Sequence, residues 1–407
     1  MIDDLACAAK CGFDSVKINA IINGKINAKR LQFNKNKCVK LHISPNMNRK
    51  CCKTQLGDTD QKIVSCVQLE VQDTDMKQSN TEKYIGDVIS ADGSNDENIK
   101  KRRSQGIGAM AQIFSILSEI SLGYHYVEIG LILRESILLS KLLLSCESWY
   151  KLHKYQIEKL EEIDNSFFHR LFNSHSKTSK EIYLIESGKI PIRIIISMRR
   201  IMYWWHILHA KQTDMLVKVY NVQKVSHVQG DWIRLLEQDK KMFKINLSDE
   251  EVSGMSRYKI KNVVKKRGQE LTLNYIEGLK KKHSKTEHFE TSTLKTAQYL
   301  TDNSFTKSQR ELLFKLRSKT VQVKANFRNG NILNMVCEIC QLFTCTQEHV
   351  LQSPVYHCEH SKFETQFHLW QCRTAVTVHT NLHSILGSKA IDIGIAETEL
   401  TEQCKQN

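Results

Sequence analysis

Two adjacent carboxylates, Asp3 and Asp4, follow an apolar residue in the opening stretch MIDDL. Carboxylate oxygens are hard donors, and two of them on a tight turn suit Mg²⁺, which keeps its remaining ligand positions for water and phosphate. In two-metal phosphoryl transfer, such ions activate the attacking hydroxyl and stabilise the leaving group. Paired aspartates also serve as ordinary turn or helix-cap residues, so the pair by itself leaves both interpretations open.

A second group of metal-binding side chains lies near the C-terminus. Cys337 and Cys340 have the C-x2-C spacing with which two thiolates hold one tetrahedral zinc ion. Two ligand sets are open: Cys337, Cys340, His368 and Cys372, or Cys337, Cys340 and His349 completed by Cys358 or a water. Reduced cysteines and surface histidines without a metal are the other interpretation. Because a His-x3-Cys half follows the C-x2-C half, we predict one zinc site.

The charge balance indicates a polyanionic partner. The formal net charge is +15, and residues 251–330 contain 18 Lys and Arg against 7 Asp and Glu. Such a balance favours nucleic acid first and an anionic membrane surface second. No apolar run reaches membrane-spanning length, so we expect no membrane partner.

The cysteine usage predicts an intracellular protein with reduced thiols. The chain has 13 cysteines, an odd number, and no signal peptide is recognisable at its N-terminus. Disulfides belong mainly to oxidising compartments. The nucleus and the cytoplasm are both compatible with this pattern.

The spacing of apolar residues predicts the elements that must position these groups. A helix around Ile18 and Ile22 is followed by an alternating strand around Val39, and a strand over 83–94 ends in an Asp-Gly turn. Beyond it nearly every segment has helical spacing, and Ile129 to Leu144 is apolar enough to predict a fully buried helix. The expected fold is therefore a small α+β region (1–94), a mostly α-helical region (95–330), a Cys/His segment (331–376) and a tail (377–407).

The order of several short motifs resembles the C-terminal half of the reverse transcriptases of non-LTR (LINE-type) retrotransposons. The motifs run in chain order and span about residues 1–375: MIDD from Met1, LQFNKNKC from Leu31, KYIG from Lys83, IKKRRSQGIGAMAQIFSIL from Ile99, SCESW from Ser145 and GDW from Gly230. Each motif is moderately specific alone. Their order and spacing together carry the resemblance.

The resemblance implies a partial polymerase palm over 1–94, a helical thumb and linker over 95–330, and a zinc knuckle over 331–376. Asp3 and Asp4 would bind Mg²⁺, and Lys37 would lie near the phosphates of the incoming nucleotide. The primer-grip strand would contain Lys83, Tyr84 and Gly86. The parent reaction would be RNA-directed DNA synthesis on an RNA template and a DNA primer.

Basic residues of the helical region would contact the phosphates of the bound duplex, which positions nucleic acid without reading its sequence. Cations near a helix N-terminus oppose the helix dipole, which favours a binding role over a merely solvated face. The candidate contacts are Lys100, Lys101, Arg102 and Arg103 at the start of the thumb-like helix, and Lys265, Lys266 and Arg267 further along.

We expect the adjacent Trp204 and Trp205 to pack in the core of the helical region.

In the resembled family, the fingers and the palm strand with the first catalytic aspartate would lie upstream of Met1. We therefore expect this chain to bind nucleic acid without sequence specificity and to synthesise no DNA by itself. The alternative is a host-adopted or decayed helical protein that binds nucleic acid or protein without enzymatic activity. The oligomeric state and any RNA preference stay open.

Overall fold

The computed structural model is mostly helical, with two small two-stranded sheets, and this confirms the expected predominance of helices with a minor β component. It describes residues 12–28, 39–41, 77–84, 86–119, 125–150, 152–175, 178–226, 232–281, 286, 289 and 293–320. The acidic pair, Lys37 and the Cys/His segment lie outside the described residues.

The N-terminal elements include the predicted helix and strand. Helix α1 spans Gly12–Ala28. Strand β1 (Val39–Leu41) pairs in parallel with β2 (Lys77–Ser79), and β3 (Thr81–Tyr84) pairs antiparallel with β4 (Asp87–Ser90).

The single strand expected over 83–94 is wrong, because two strands of a tight hairpin occupy this stretch. Tyr84 pairs with Asp87 across the turn, and Gly86 within it has a φ of +86°. A glycine adopts this left-handed region without steric penalty, so the chain reverses direction there. The predicted Asp-Gly turn is confirmed, since Gly93 donates its N–H to the carbonyl of Ser90 at 3.0 Å directly after β4.

Helices form the rest of the described chain, as the apolar spacing predicts. An α-helix has 3.6 residues per turn, so side chains three or four positions apart lie on the same face. The helices are α2 Asp96–Glu119, α3 Tyr126–Leu133, α4 Leu139–Leu142, α5 Lys154–Leu171, α6 Lys180–Ser187, α7 Ile192–Leu208, α8 Met215–Ser226, α9 Trp232–Met242, α10 Asp249–Ser253, α11 Arg257–Lys280, α12 Gln298–Thr301 and α13 Lys307–Arg317, with a π-helical turn at Arg134–Leu138 and a 3₁₀ turn at Cys146–Ser148.

The segment from Ile129 to Leu144 differs from its prediction of full burial. Ile132 is 58% exposed and Leu144 is 46% exposed, so apolar side chains also face solvent. The π-helical turn between α3 and α4 begins at Arg134, which is buried. No helix in the described part of the chain is long and apolar enough to cross a bilayer.

The chain forms two compact units, each built from separate stretches of sequence. The first contains the described residues of Met1–Phe114, Arg134–Asp164 and Ile190–Thr272. The second contains those of Ser115–Leu133, Asn165–Lys189 and Leu273–Asn407.

Helix α7 lies in the core of the first unit, where it packs against α8, α9 and α10. Trp204 is fully buried there, and its Nε1 donates to Asp249 Oδ1 at 3.0 Å. Trp205 is half-buried and donates to the carbonyl of Met255 at 2.9 Å. The core position expected for Trp204 is confirmed. Trp149 and Trp232 are also buried in this unit.

Aromatic side chains from three helices form part of the core of the second unit. Phe172 on the C-terminal side of α5 stacks on Phe314 of α13 with ring centroids 4.8 Å apart, and Tyr183 of α6 stacks on Phe314 at 6.0 Å. Beside them the Arg317 guanidinium donates to the buried Glu186 at 2.7 Å. Offset aromatic packing of this kind adds to the stabilisation from burial alone.

Candidate nucleic-acid interface

The structure brings one set of predicted contact residues together. Lys83 and Tyr84 lie on β3, Gly86 lies in the turn, and the basic quartet Lys100–Arg103 lies in the first two turns of α2. Lys265, Lys266 and Arg267 form a separate group on α11. The predicted metal ligands Asp3, Asp4, Cys337, Cys340, His349, His368 and Cys372, and also Lys37, lie outside the described residues. Within the described residues, no three acidic, His or Cys side chains are arranged to hold a metal ion.

The turn of the β3–β4 hairpin is attached to α2 through the backbone carbonyl of Gly86. The Gly86 carbonyl accepts a hydrogen bond from Lys101 Nζ at 2.6 Å and another from Arg102 Nη2 at 3.0 Å. The positive φ of Gly86 sets the direction of this carbonyl. We call the group Lys83, Tyr84, Gly86, Asp87, Lys101 and Arg102 the hairpin cluster.

Arg102 anchors the hairpin and does not present its charge to solvent. Its side chain is fully buried, forms an ion pair with Asp87 and donates to Gln105 at 2.8 Å. A guanidinium that is buried and paired with Asp87 has no exposed surface for a phosphate, so the phosphate contact expected for Arg102 is wrong. The physical reason is its position three residues after buried Ile99 and four before Gly106, on the buried stripe of α2.

Asn98 completes the attachment and was not among the predicted residues. This buried side chain accepts from the N–H of Val88 at 3.4 Å and donates to Asp87 at 3.3 Å. Asn98, Lys101 and Arg102 are spaced i, i+3 and i+4, so they project from the same side of the helix. That spacing is the sequence signal that could have identified them as a group.

Positive charge is concentrated at this attachment. Burial lowers the pKa of Lys101, the neighbouring charges of Arg102 and Lys83 lower it further, and Asp87 opposes them. Lys83 itself is exposed. Like charges held this close repel one another, so an anion beside Lys83 and Lys101 would relieve the repulsion.

Lys100 and Arg103 flank the cluster and are paired with exposed carboxylates. Lys100 Nζ lies 2.6 Å from Glu97, and Arg103 Nη2 lies 2.9 Å from Glu162. Ion pairs between exposed side chains contribute about 0–1 kcal/mol. A phosphate could therefore compete with these carboxylates at low energetic cost.

The cations on α11 have different surroundings. Lys265 and Lys266 are exposed, whereas Arg267 donates to Glu270 at 2.7 Å. This group could contact phosphates without a change in packing.

The chain matches no family model, no curated protein and no solved structure. The structure places a backbone-anchored hairpin and clustered lysines at one position, and this arrangement suits recognition of a phosphodiester backbone.

Proposed function

We propose that this chain binds nucleic acid through the hairpin cluster, and that it is the C-terminal part of a reverse transcriptase of the non-LTR type. The observation that supports the binding is the attachment of the Gly86 turn to α2, which holds Lys83 near Lys101 despite their mutual repulsion. The assignment to a reverse transcriptase rests on the motif order described above. Asp3 and Asp4 as Mg²⁺ ligands, and the C-terminal cysteines and histidines as Zn²⁺ ligands, belong to the same proposal.

Phosphate binding explains the arrangement in physical terms. A duplex carries regularly spaced negative charges with condensed counterions, and each lysine that neutralises a phosphate releases counterions. The resulting affinity is independent of sequence and falls as salt rises. Gly86, exposed in the turn, leaves room for a backbone to approach closely.

Equilibrium binding of a labelled RNA–DNA duplex to the full chain tests the binding proposal. The double variant Lys83→Ala/Lys101→Ala is expected to reduce the affinity and to flatten the dependence of log K on log salt by roughly 1.8, about 0.9 for each lost phosphate contact. Lys218→Ala removes an exposed lysine from α8 and serves as the control. Unchanged binding in the double variant would remove the hairpin cluster from the proposal.

Primer extension on an RNA template tests the polymerase assignment. The full chain with Mg²⁺ and nucleotides is expected to add no nucleotide by itself. Extension that Asp3→Ala abolishes would instead establish an active polymerase in which this aspartate is needed.

Zinc content of the purified chain tests the knuckle. Mass spectrometry under native conditions is expected to find one zinc, lost in both Cys337→Ser and Cys372→Ser. Loss in Cys337→Ser alone would assign the site to Cys337, Cys340 and His349, completed by Cys358 or a water. Absence of zinc from the parent chain would reject the knuckle.

A second candidate function, protein binding by a host-adopted helical protein, is favoured by the surface of α8. Met215, Val219, Val222 and Val225 follow one face of this helix and are 46–80% exposed. Contiguous exposed apolar side chains are typical of interaction surfaces. Sedimentation of the parent chain and of Val222→Asp would distinguish the two functions, because self-association that this variant abolishes would favour protein binding.

A further inference from the structure

The N-terminal half of α11 carries an unbalanced positive charge. It contains Arg257, Lys259, Lys261, Lys265, Lys266 and Arg267, and no acidic residue precedes Glu270 in this helix. Arg257 and Lys259 lie in the first turn, where a positive charge opposes the helix dipole. The helix dipole therefore does not account for these two cations.

Nearby carboxylates do not neutralise these lysines. Among the described residues, no carboxylate lies within ion-pair distance of Lys259, Lys261, Lys265 or Lys266, whereas Arg267 is paired with Glu270 at 2.7 Å. Lysines elsewhere do have partners three residues before them: Lys100 has Glu97 on α2, and Lys280 at the C-terminal end of α11 has Glu277. Glu270 is itself surrounded by cations: the hydrogen bond from Arg267 lowers its pKa most, and Lys266 and Lys244 lower it further.

An aromatic side chain, that of Tyr258, lies on the solvent-facing side of α11 together with these lysines. Tyr258 is 75% exposed, while Ile260 and Val264 of the same helix are buried. Helical spacing of i, i+3 and i+7 places Tyr258, Lys261 and Lys265 along one face. Core packing therefore does not explain the aromatic residue at position 258.

An exposed ring on the same helix face as lysines is an arrangement with which proteins bind single strands. A nucleobase stacks on the ring, and the cations contact phosphates of the strand. In a duplex the faces of the bases are stacked on one another, so the ring would have no partner. Phosphate binding alone would need the lysines and no tyrosine.

We propose that the face of α11 formed by Tyr258, Lys261 and Lys265 binds single-stranded nucleic acid, with the tyrosine ring stacked on a base and the lysines on adjacent phosphates. The inference rests on the proposed nucleic-acid-binding function and assigns to α11 a substrate form different from that of the hairpin cluster. It gives the chain one surface for duplex and another for an unpaired strand.

Binding of the full chain to two labelled probes tests this proposal. One is a mixed-sequence single strand that forms no stable hairpin, and the other is the same sequence in an RNA–DNA duplex. Tyr258→Ala is expected to weaken binding of the single strand roughly tenfold, the effect of losing one stacked base. Its effect on duplex binding is expected to stay below about twofold, because a stacked duplex offers the ring no base face. Tyr258→Phe keeps the ring and is expected to bind as the parent does.

The lysines are tested by salt dependence. Lys261→Ala/Lys265→Ala is expected to reduce the salt slope for the single strand by roughly 1.4, about 0.7 for each lost phosphate contact. Lys218→Ala on α8 is the matched control for a single exposed lysine. These side chains are exposed, so the thermal unfolding midpoint should stay unchanged in all variants.

The outcomes separate this inference from the proposed function. Equal losses on both probes in Tyr258→Ala, or equal losses in Tyr258→Ala and Tyr258→Phe, would overturn single-strand stacking while duplex binding by the hairpin cluster stood. Absence of binding to either probe by the parent would overturn both. Binding to vesicles of anionic lipid that Lys261→Ala/Lys265→Ala weakens more than it weakens binding of the single strand would assign this face to a membrane surface and overturn the inference.

Discussion

Arg134 and Asp164 form a buried, bidentate ion pair in the first unit. Arg134 Nε and Nη2 donate to the two carboxylate oxygens of Asp164 at 2.7 and 2.6 Å, and both side chains are almost fully buried. Two charges removed from water offset one another only while both are present. The sequence shows Arg134 as an interruption of an apolar run, and nothing in it identifies the partner 30 residues later.

Removing one partner of this pair is therefore expected to be severe. Arg134→Met keeps much of the side-chain volume and leaves Asp164 buried and charged, which costs about 3–5 kcal/mol in free energy of unfolding. Urea unfolding followed by circular dichroism measures the loss. Lys154→Ala breaks an exposed pair with Glu158 and is expected to change the stability by less than about 1 kcal/mol. Equal effects of the two variants would contradict the interpretation that the buried Asp164 carboxylate depends on Arg134 for its stabilisation.

Asp249 gives the stability of the first unit a pH dependence. Burial by itself would raise the pKa of this carboxyl, but hydrogen bonds from Lys224, Tyr220 and Trp204 outweigh burial, and its pKa is lowered. A lowered folded-state pKa means that the stabilisation is complete above the unfolded value of about 3.9. It is lost as the pH falls through the folded pKa.

The variant Asp249→Asn tests this dependence. It is expected to be less stable than the parent at pH 7. The difference in free energy of unfolding between the two is expected to shrink as the pH falls towards the lowered pKa of Asp249. Urea unfolding at a series of pH values measures the difference. A difference that stays constant down to the acid transition would show that the carboxylate charge is not what stabilises the unit.

At the scale of elements, the hairpin shows what sequence patterns reveal and what they miss. The alternation of side chains predicted a strand, and helical periodicity predicted α2. Neither pattern shows that Arg102 points inward at the hairpin, because a cation on an apolar stripe looks like a break in that stripe. The sequence places Ile99, Arg102 and Gly106 on one face of α2. The burial of Arg102 depends on its ion pair with Asp87, and the sequence does not identify that partner.

Gly188 ends α6 in a way that only glycine permits. Its φ is +63°, and its N–H donates to the carbonyl of Leu184 at 2.9 Å. A Cβ at this position would meet the backbone of Lys295, whose oxygen would lie 2.7 Å away. Helices commonly end on such a left-handed glycine.

Gly188→Ala is accordingly expected to lower the free energy of unfolding by about 1 kcal/mol or more, since both the left-handed conformation and the contact oppose a side chain. Gly278→Ala is the matched control in the same unit, because it lies within α11 and its Cβ would meet nothing within 4 Å. Helix propensity predicts that this control stabilises by about 0.5–1 kcal/mol. Thermal unfolding of both variants measures the difference in stability. An unchanged stability of Gly188→Ala would show that the backbone at Lys295 moves to accommodate the added Cβ.

At the scale of the molecule, helical content was predictable and the division into units was not. Local periodicity marks helices because it depends on neighbours three and four residues away. The domain boundaries predicted from sequence divide the chain into consecutive ranges, and they stay predictions. Each compact unit draws on three separate stretches, and pairings such as Glu186 with Arg317, far apart in sequence, hold such stretches together. Composition and spacing carry no information about those pairings.

The positions of the tryptophans make one unit separately visible to fluorescence. Trp149, Trp204, Trp205 and Trp232 all belong to the first unit, the described part of the second unit has none, and Trp370 lies outside the described residues. In a Trp370→Phe chain, the emission maximum therefore follows the first unit alone, while circular dichroism follows helices of both. Coincident denaturation curves would mean that the two units unfold as one cooperative system. A separation of the curves would measure the stability of each unit within the intact chain.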